Sequence, residues 1–156
     1  ILQKEVLSRL KQQSREFNSA NLSKLMNFVK NIPNARLPKG NIIHSLATDS
    51  LSLDFAHRNS HCPDHVVFCG RKPWFIDKVN TPNCQNLYGI VKGLGVILLE
   101  QASSSTEEML RAQAEIFLRI PSNKMINFLS DKDCEELINW EAEKYRKQLT
   151  INNTSG

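Results

Sequence analysis

The stretch Leu87-Tyr-Gly-Ile-Val-Lys-Gly-Leu-Gly-Val-Ile-Leu-Leu99 decides the fold, because it holds much of the apolar content of a chain that is 40% hydrophobic. Thr81 and Pro82 precede it, and these residue types suit the N-cap and the first position of a helix. A helix that is apolar on most sides lies in the centre of a domain. The stretch therefore predicts a central helix over residues 82–101.

Three glycines inside this stretch bear on that prediction. Gly89, Gly93 and Gly95 each cost a helix interior about 1 kcal/mol relative to alanine. They are explained if another element packs closely against them. The alternative is that residues 96–99 form a buried strand.

Amphipathic patterns on both sides of the stretch predict further helices. The most regular pattern places Leu22, Leu25, Met26 and Val29 at helical spacing, with Asn21 as the N-cap. Similar patterns predict helices at residues 2–17, 21–31, 41–58 (one or two), 123–129 and from Ser130 onward. One more helix is predicted to start with a capping box, at 104–107 or 105–108, and to end at Pro121.

Residues 65–79 differ from these helical patterns. Two runs rich in β-formers, 66–69 and 74–76, flank the turn-rich Gly70-Arg-Lys-Pro73. This arrangement is typical of a small β-hairpin. The alternative is an irregular loop that buries its aromatic side chains.

These patterns together predict a mainly α fold. We expect about seven or eight helices around the apolar central helix, with at most the small hairpin near residues 65–79. Residues 1–150 are predicted to form a single domain, and residues 151–156 a frayed tail. A chain of 156 residues buries enough surface to be stable without disulfides or a metal.

Charge, the length of apolar runs and the cysteine count indicate the cellular compartment in which we expect the protein. Lys and Arg number 20 against 16 Asp and Glu, and this mild excess is spread along the chain. The longest apolar run, residues 93–99, is far shorter than the roughly 20 residues of a membrane span. No secretory signal opens the chain and its four cysteines fit no secreted framework, so we expect the cytoplasm or nucleus. Because the chain starts at Ile1, we expect a domain of a longer protein.

A cluster of metal-ligand residue types lies between positions 57 and 69. It contains His57, His61, Cys62, His65 and Cys69, which are three of the four histidines and two of the four cysteines. Zinc is held by four such ligands in tetrahedral sites. The cluster therefore predicts a zinc site, although its spacing matches no known zinc motif. The alternative is that the cysteines are small core residues.

Cys84 falls in the first turn of the predicted central helix. Amides at a helix N-terminus lower the pKa of a thiol, and a nearby histidine would serve as its base. This placement suggests a Cys-dependent hydrolase. The alternatives are a buried structural cysteine or a reserve zinc ligand.

Arg71, Lys72 and Trp74 join positive charge to an aromatic side chain. Such a patch suits an acidic partner or a nucleic acid, whose bases stack on aromatic rings. We therefore predict these three residues as the partner-binding site. The alternative is that Trp74 anchors the segment to the core while the two cations remain solvated.

The function predicted from the sequence is a non-enzymatic protein-interaction domain of a larger intracellular regulatory or adaptor protein. It would bind partner segments between amphipathic helices. Its basis is the helix-rich pattern together with the absence of recognisable catalytic motifs. The first alternative is a nucleic-acid-binding domain that uses residues 57–78, stabilised by zinc. The second alternative is the hydrolase centred on Cys84.

Overall fold

The apolar stretch at residues 87–99 forms strands and not the predicted central helix. A computed structural model of the protein describes residues 13–76, 82–83 and 85–140. The prediction of a mainly α fold is wrong, because the described residues form a mixed α/β fold. Its three-stranded sheet has the order β1 (Trp74–Phe75), β2 (Tyr88–Val91) and β3 (Gly95–Leu98), with β1 parallel and β3 antiparallel to β2.

A short turn between β2 and β3 explains why the stretch does not continue as a helix. Tyr88 lies opposite Leu98 and Val91 opposite Gly95, so residues 92–94 form a three-residue hairpin loop. Gly93 has a φ of 72°, a left-handed conformation that glycine adopts readily and that such loops require. The alternative strand at residues 96–99 is therefore close to the observed β3.

The helices surround this sheet. Among the described residues there are six α-helices and one 3₁₀-helix. Their bounds are α1 (Leu22–Asn31), the 3₁₀-helix (Asn41–His44), α2 (Ser45–Thr48), α3 (Ser50–His57), α4 (Pro63–Cys69), α5 (Ser104–Arg119) and α6 (Asp131–Asn139).

Two of the predicted helices are confirmed together with their start signals. The side chain of Asn21 accepts a hydrogen bond from the Lys24 backbone N–H and caps α1. Ser130 caps α6, where its hydroxyl accepts from the Asp133 backbone N–H. The helix that ends before Pro121 is also present, but its capping box uses Ser103 and Thr106, upstream of the predicted positions.

Other predicted elements need correction. The prediction of a hairpin at residues 65–79 is wrong, because its first run lies in a helix, α4. Pro63 in the first turn and Gly70 at the C-cap bound this helix, although its β-branched valines suggested a strand. The helix at residues 123–129 is absent, since that segment has turn and irregular backbone. Of the helix at 2–17, residues 13–17 are not helical, and the remainder lies outside the described residues.

Helices cover both faces of the sheet. Tyr88 and Ile90 of β2 face a cluster built with side chains of α2, α3 and α5, including Phe117. On the opposite face, Ile97 of β3 packs with Leu25 of α1. Because both faces are covered, β2 and β3 are buried at every position and lack the alternation that identifies a strand from sequence.

The outer edge of β3 is closed by hydrogen bonds from this chain. The Val96 backbone N–H donates to Nδ1 of His44 at 3.1 Å. The Leu98 backbone N–H donates to the Arg36 carbonyl oxygen at 2.8 Å, and the Arg36 N–H donates back to Leu98 at 2.9 Å. Both N–H groups of β3 that point away from β2 are therefore satisfied.

Candidate functional site

The five residues of the predicted zinc site do not converge. The imidazole of His57 is exposed and stacks on Phe75, with ring centroids 3.9 Å apart. His61 and His65 are neighbours, with ring centroids 5.6 Å apart. Cys69 is fully buried, and its thiol donates to the Thr106 carbonyl oxygen at 3.6 Å. These contacts direct His57 and Cys69 to different neighbours.

The two cysteines of the cluster occupy different environments. Burial raises the pKa of the Cys69 thiol far above its usual value. Cys62 is partly buried at the N-cap of α4. Within the described ranges, no group of three or more His, Cys, Asp or Glu side chains is arranged to hold a metal ion. The predicted zinc site thus lacks geometric support there.

His65 forms a buried contact with Ser60, whose hydroxyl lies within hydrogen-bonding distance of its Nδ1. A serine beside a histidine is one part of a nucleophilic site. However, Ser60 and His65 are each only 2% exposed, so a substrate has no access to them. Burial, aided by the neighbouring His61, lowers the pKa of His65 to about 4, so its imidazole is neutral at pH 7. The pair contributes to the core.

The predicted partner-binding residues occupy three different environments. The guanidinium of Arg71 forms ion pairs with Asp131 at 2.6 Å and Glu135 at 3.0 Å, which tie it to α6. Trp74 is buried in the cluster beneath α1. Lys72 is exposed. The structure therefore places Arg71 and Trp74 in stabilising contacts and leaves Lys72 at the surface.

The cysteine proposed as a nucleophile, Cys84, lies outside the described residues. The predicted helix that would have placed it at an N-terminus is replaced by β2 and β3. Cys134 is fully buried in α6, and burial raises the pKa of its thiol. The three described cysteines are unbridged.

A surface pocket on α6 was missed from the sequence. It has a volume of about 420 Å³ and is lined by Leu129, Asp133, Glu136, Leu137 and Trp140. Trp140, which directly follows α6, is 58% exposed. Large aromatic side chains are seldom left in water without a reason, and an exposed apolar patch with a polar rim is typical of an interaction site. We therefore take this α6 pocket as the candidate functional site.

Two sets of contacts hold the α6 pocket in place. The Leu129 backbone N–H donates to the Ser60 carbonyl oxygen at 2.9 Å, and the Asn59 amide donates to the Leu129 carbonyl oxygen at 3.0 Å. On the other side of α6, Arg71 pairs with Asp131 and Glu135. The pocket is thus built on a fixed helix and a fixed segment before it.

The rim of the α6 pocket is acidic. Glu136 is exposed, and Nζ of Lys132 on the same helix lies 3.7 Å from its carboxylate. Asp133 accepts hydrogen bonds from Ser130, which lower the pKa of its carboxyl below the usual value and keep it ionised at pH 7. An apolar floor beside two carboxylates suits a ligand that is both apolar and cationic.

A second exposed apolar patch lies on α1. Of its predicted stripe, only Leu25 is buried, whereas Leu22 is 48% and Met26 is 38% exposed. Lys30 follows Met26 by four residues, so the two side chains share one face of the helix. The face formed by Leu22, Met26 and Lys30, hereafter the α1 face, is apolar and basic.

Comparison of the chain with models of protein families, with curated proteins and with solved structures found no match. In the portion of the chain that the structure describes, no helix is both long and apolar enough to span a membrane.

Proposed function

We propose that this protein is a non-catalytic protein-interaction domain that binds a basic amphipathic segment of a partner in the α6 pocket. The observation that carries the proposal is the exposure of Trp140 beside the apolar side chains of Leu129 and Leu137. Tryptophan is enriched among the residues that dominate binding energy at protein interfaces.

The chemistry of the rim defines the partner. Asp133 and Glu136 would attract Lys or Arg side chains, and the indole of Trp140 would favour a cation placed over its face. A helix with an apolar stripe flanked by basic residues presents both groups together.

Other features of the described residues bear on the choice between a binding role and the two alternatives. Ser60, His65 and Cys69, the buried nucleophile and base types near the predicted cluster, are inaccessible to a substrate. Cys84, on which the hydrolase alternative rests, lies outside the described residues. Arg71 is already paired with two carboxylates, which weakens the case for a phosphate contact in the nucleic-acid alternative. The unbridged cysteines are consistent with a reducing compartment and with the proposed intracellular regulatory or adaptor role.

Calorimetric titration of the full chain with a synthetic leucine–lysine peptide, patterned as an amphipathic helix, tests the proposal. We expect a dissociation constant of about 100 μM or lower, and a Trp140→Ala variant that binds at least about tenfold more weakly. A peptide of the same composition in scrambled order should not bind. Absence of binding, or equal binding by Trp140→Ala, would overturn the proposal.

Two matched controls separate the pocket from general surface effects. Met125→Ala removes a side chain that is 95% exposed and does not line the pocket, so binding should be unchanged. Glu136→Gln should weaken binding, more strongly at low salt, whereas Glu108→Gln on the exposed surface of α5 should not.

A further inference from the structure

We infer that the α6 pocket of one copy of this chain binds the α1 face of a second copy. This inference rests on the proposed function and names the partner of the same pocket. It uses the two exposed patches that the fold leaves without a covering element in the described residues, and it predicts self-association of a defined geometry.

The α1 face has the composition that the α6 pocket selects. Leu22 and Met26 supply apolar side chains at a spacing of four residues, and Lys30 continues the same face by one more turn. The ten residues of α1 include two lysines and no acidic residue. The stripe was the most regular helical pattern in the sequence, yet the core of the protein covers only part of it.

The α6 pocket offers the opposite charge. Its floor of Leu129, Leu137 and Trp140 would receive the Met26 side chain, and Asp133 and Glu136 are the rim groups available to Lys30. Apolar side chains thus face apolar side chains, and the cation of Lys30 faces carboxylates. Such complementarity selects the partner and fixes its orientation.

Within one copy, the two surfaces belong to helices that pack against different neighbours. α1 packs against β3, whereas α6 packs against α4. Contact between a patch and a different patch on the next copy is heterologous. Each copy then retains one unused α1 face or one unused α6 pocket, so growth continues into short chains or closes into a ring.

The expected association is weak. A face of one ten-residue helix is smaller than the roughly 800 Å² that each partner contributes to a standard stable interface. We expect a dissociation constant of about 100 μM to 1 mM, which is the range of a contact that operates at high local concentration.

Sedimentation velocity of the full chain over a range of concentrations tests the inference. The average mass should rise with concentration and should fall when salt is increased, because the contact includes opposite charges. Met26→Glu and Trp140→Ala should each remain monomeric, because each variant lacks one of the two surfaces. Circular dichroism and the urea midpoint confirm that both variants are folded.

A mixture of the two variants is the decisive measurement. Met26→Glu keeps the α6 pocket, and Trp140→Ala keeps the α1 face, so the mixture should form dimers that cannot grow further. Ile116→Glu, a change at a similarly exposed apolar residue of α5, should associate like the unaltered chain. A monomeric mixture, or dimers that persist in Trp140→Ala alone, would overturn the inference.

The outcomes also separate this inference from the proposed function. If the chain stays monomeric but binds the leucine–lysine peptide, the second copy is not the partner and the interaction domain stands. If it neither associates nor binds the peptide, both proposals fail. A Lys30→Glu variant that loses association and regains it with a Glu136→Lys partner would assign the ion pair.

Discussion

At the scale of single residues, Gly95 shows how closely the sheet and its neighbours approach. Its φ is 150°, in a region that L side chains rarely adopt. A Cβ placed there would lie 2.5 Å from Cδ1 of Leu25 and 2.7 Å from Nδ1 of His44. The expectation that glycines in this stretch permit close packing is confirmed at this position, although the glycine lies in a strand.

We predict that Gly95→Ala destabilises the protein by about 2–4 kcal/mol, because it combines backbone strain with overpacking of a fully buried site. The measurement is the free energy of unfolding in urea. Gly40→Ala is the matched control. Gly40 has a φ of −85° and its Cβ would lie 3.5 Å from Ile43, an ordinary contact, so the change should be within about 0.5 kcal/mol. Equal stability of both variants would contradict this account.

At the scale of elements, the local signals in the sequence were sufficient for α1 and α6, because a cap and a stripe are encoded by adjacent residues. They were insufficient for β2 and β3. A strand that is covered on both faces is apolar throughout and resembles a buried helix. The signal that distinguishes them is a pair of apolar runs around the short, glycine-containing turn at residues 92–94.

The candidate site was predictable only in part. The start of α6 at Ser130 follows from the sequence. Trp140 directly follows α6, and the pocket beside it needs Leu129, which is held by hydrogen bonds to Ser60 and Asn59, far away in the chain. Contacts of this kind are tertiary and leave no periodic pattern.

The start of α5 gives a prediction that distinguishes the observed N-cap, Ser103, from the capping boxes predicted at residues 104–107 or 105–108. The hydroxyl of Ser103 accepts from the Thr106 backbone N–H at 3.2 Å, whereas Ser104 is the first helical residue. Ser103→Ala should therefore reduce stability by about 1 kcal/mol, and Ser104→Ala should have almost no effect. Thermal unfolding of the two variants measures the difference. A larger loss in Ser104→Ala would restore the predicted capping position.

At the scale of the whole molecule, buried histidines link stability to pH. Burial lowers the pKa of His44, His61 and His65, and that of His65 falls to about 4 from an ordinary 6.5. Between these two values the unfolded chain binds a proton that the folded chain does not, so acid favours unfolding. The stabilisation is complete above pH 6.5 and is lost progressively as the pH falls towards 4.

We predict that the free energy of unfolding falls by about 3 kcal/mol through His65 alone across this window. Urea unfolding at several pH values from about 7 to about 4 measures it. His65→Asn should flatten the dependence while lowering stability at neutral pH. A free energy that stays constant over the window in the unaltered chain would contradict the buried, neutral state of these histidines.

The closed outer edge of β3 has a consequence for how this protein behaves when crowded. A strand with open N–H groups recruits strands from other molecules and seeds irreversible fibrous deposits. The N–H groups of Val96 and Leu98 are already engaged by His44 and Arg36, so the most apolar strand offers no template. The outer edge of β3 is therefore protected from amyloid-type strand addition when many copies of the protein crowd together.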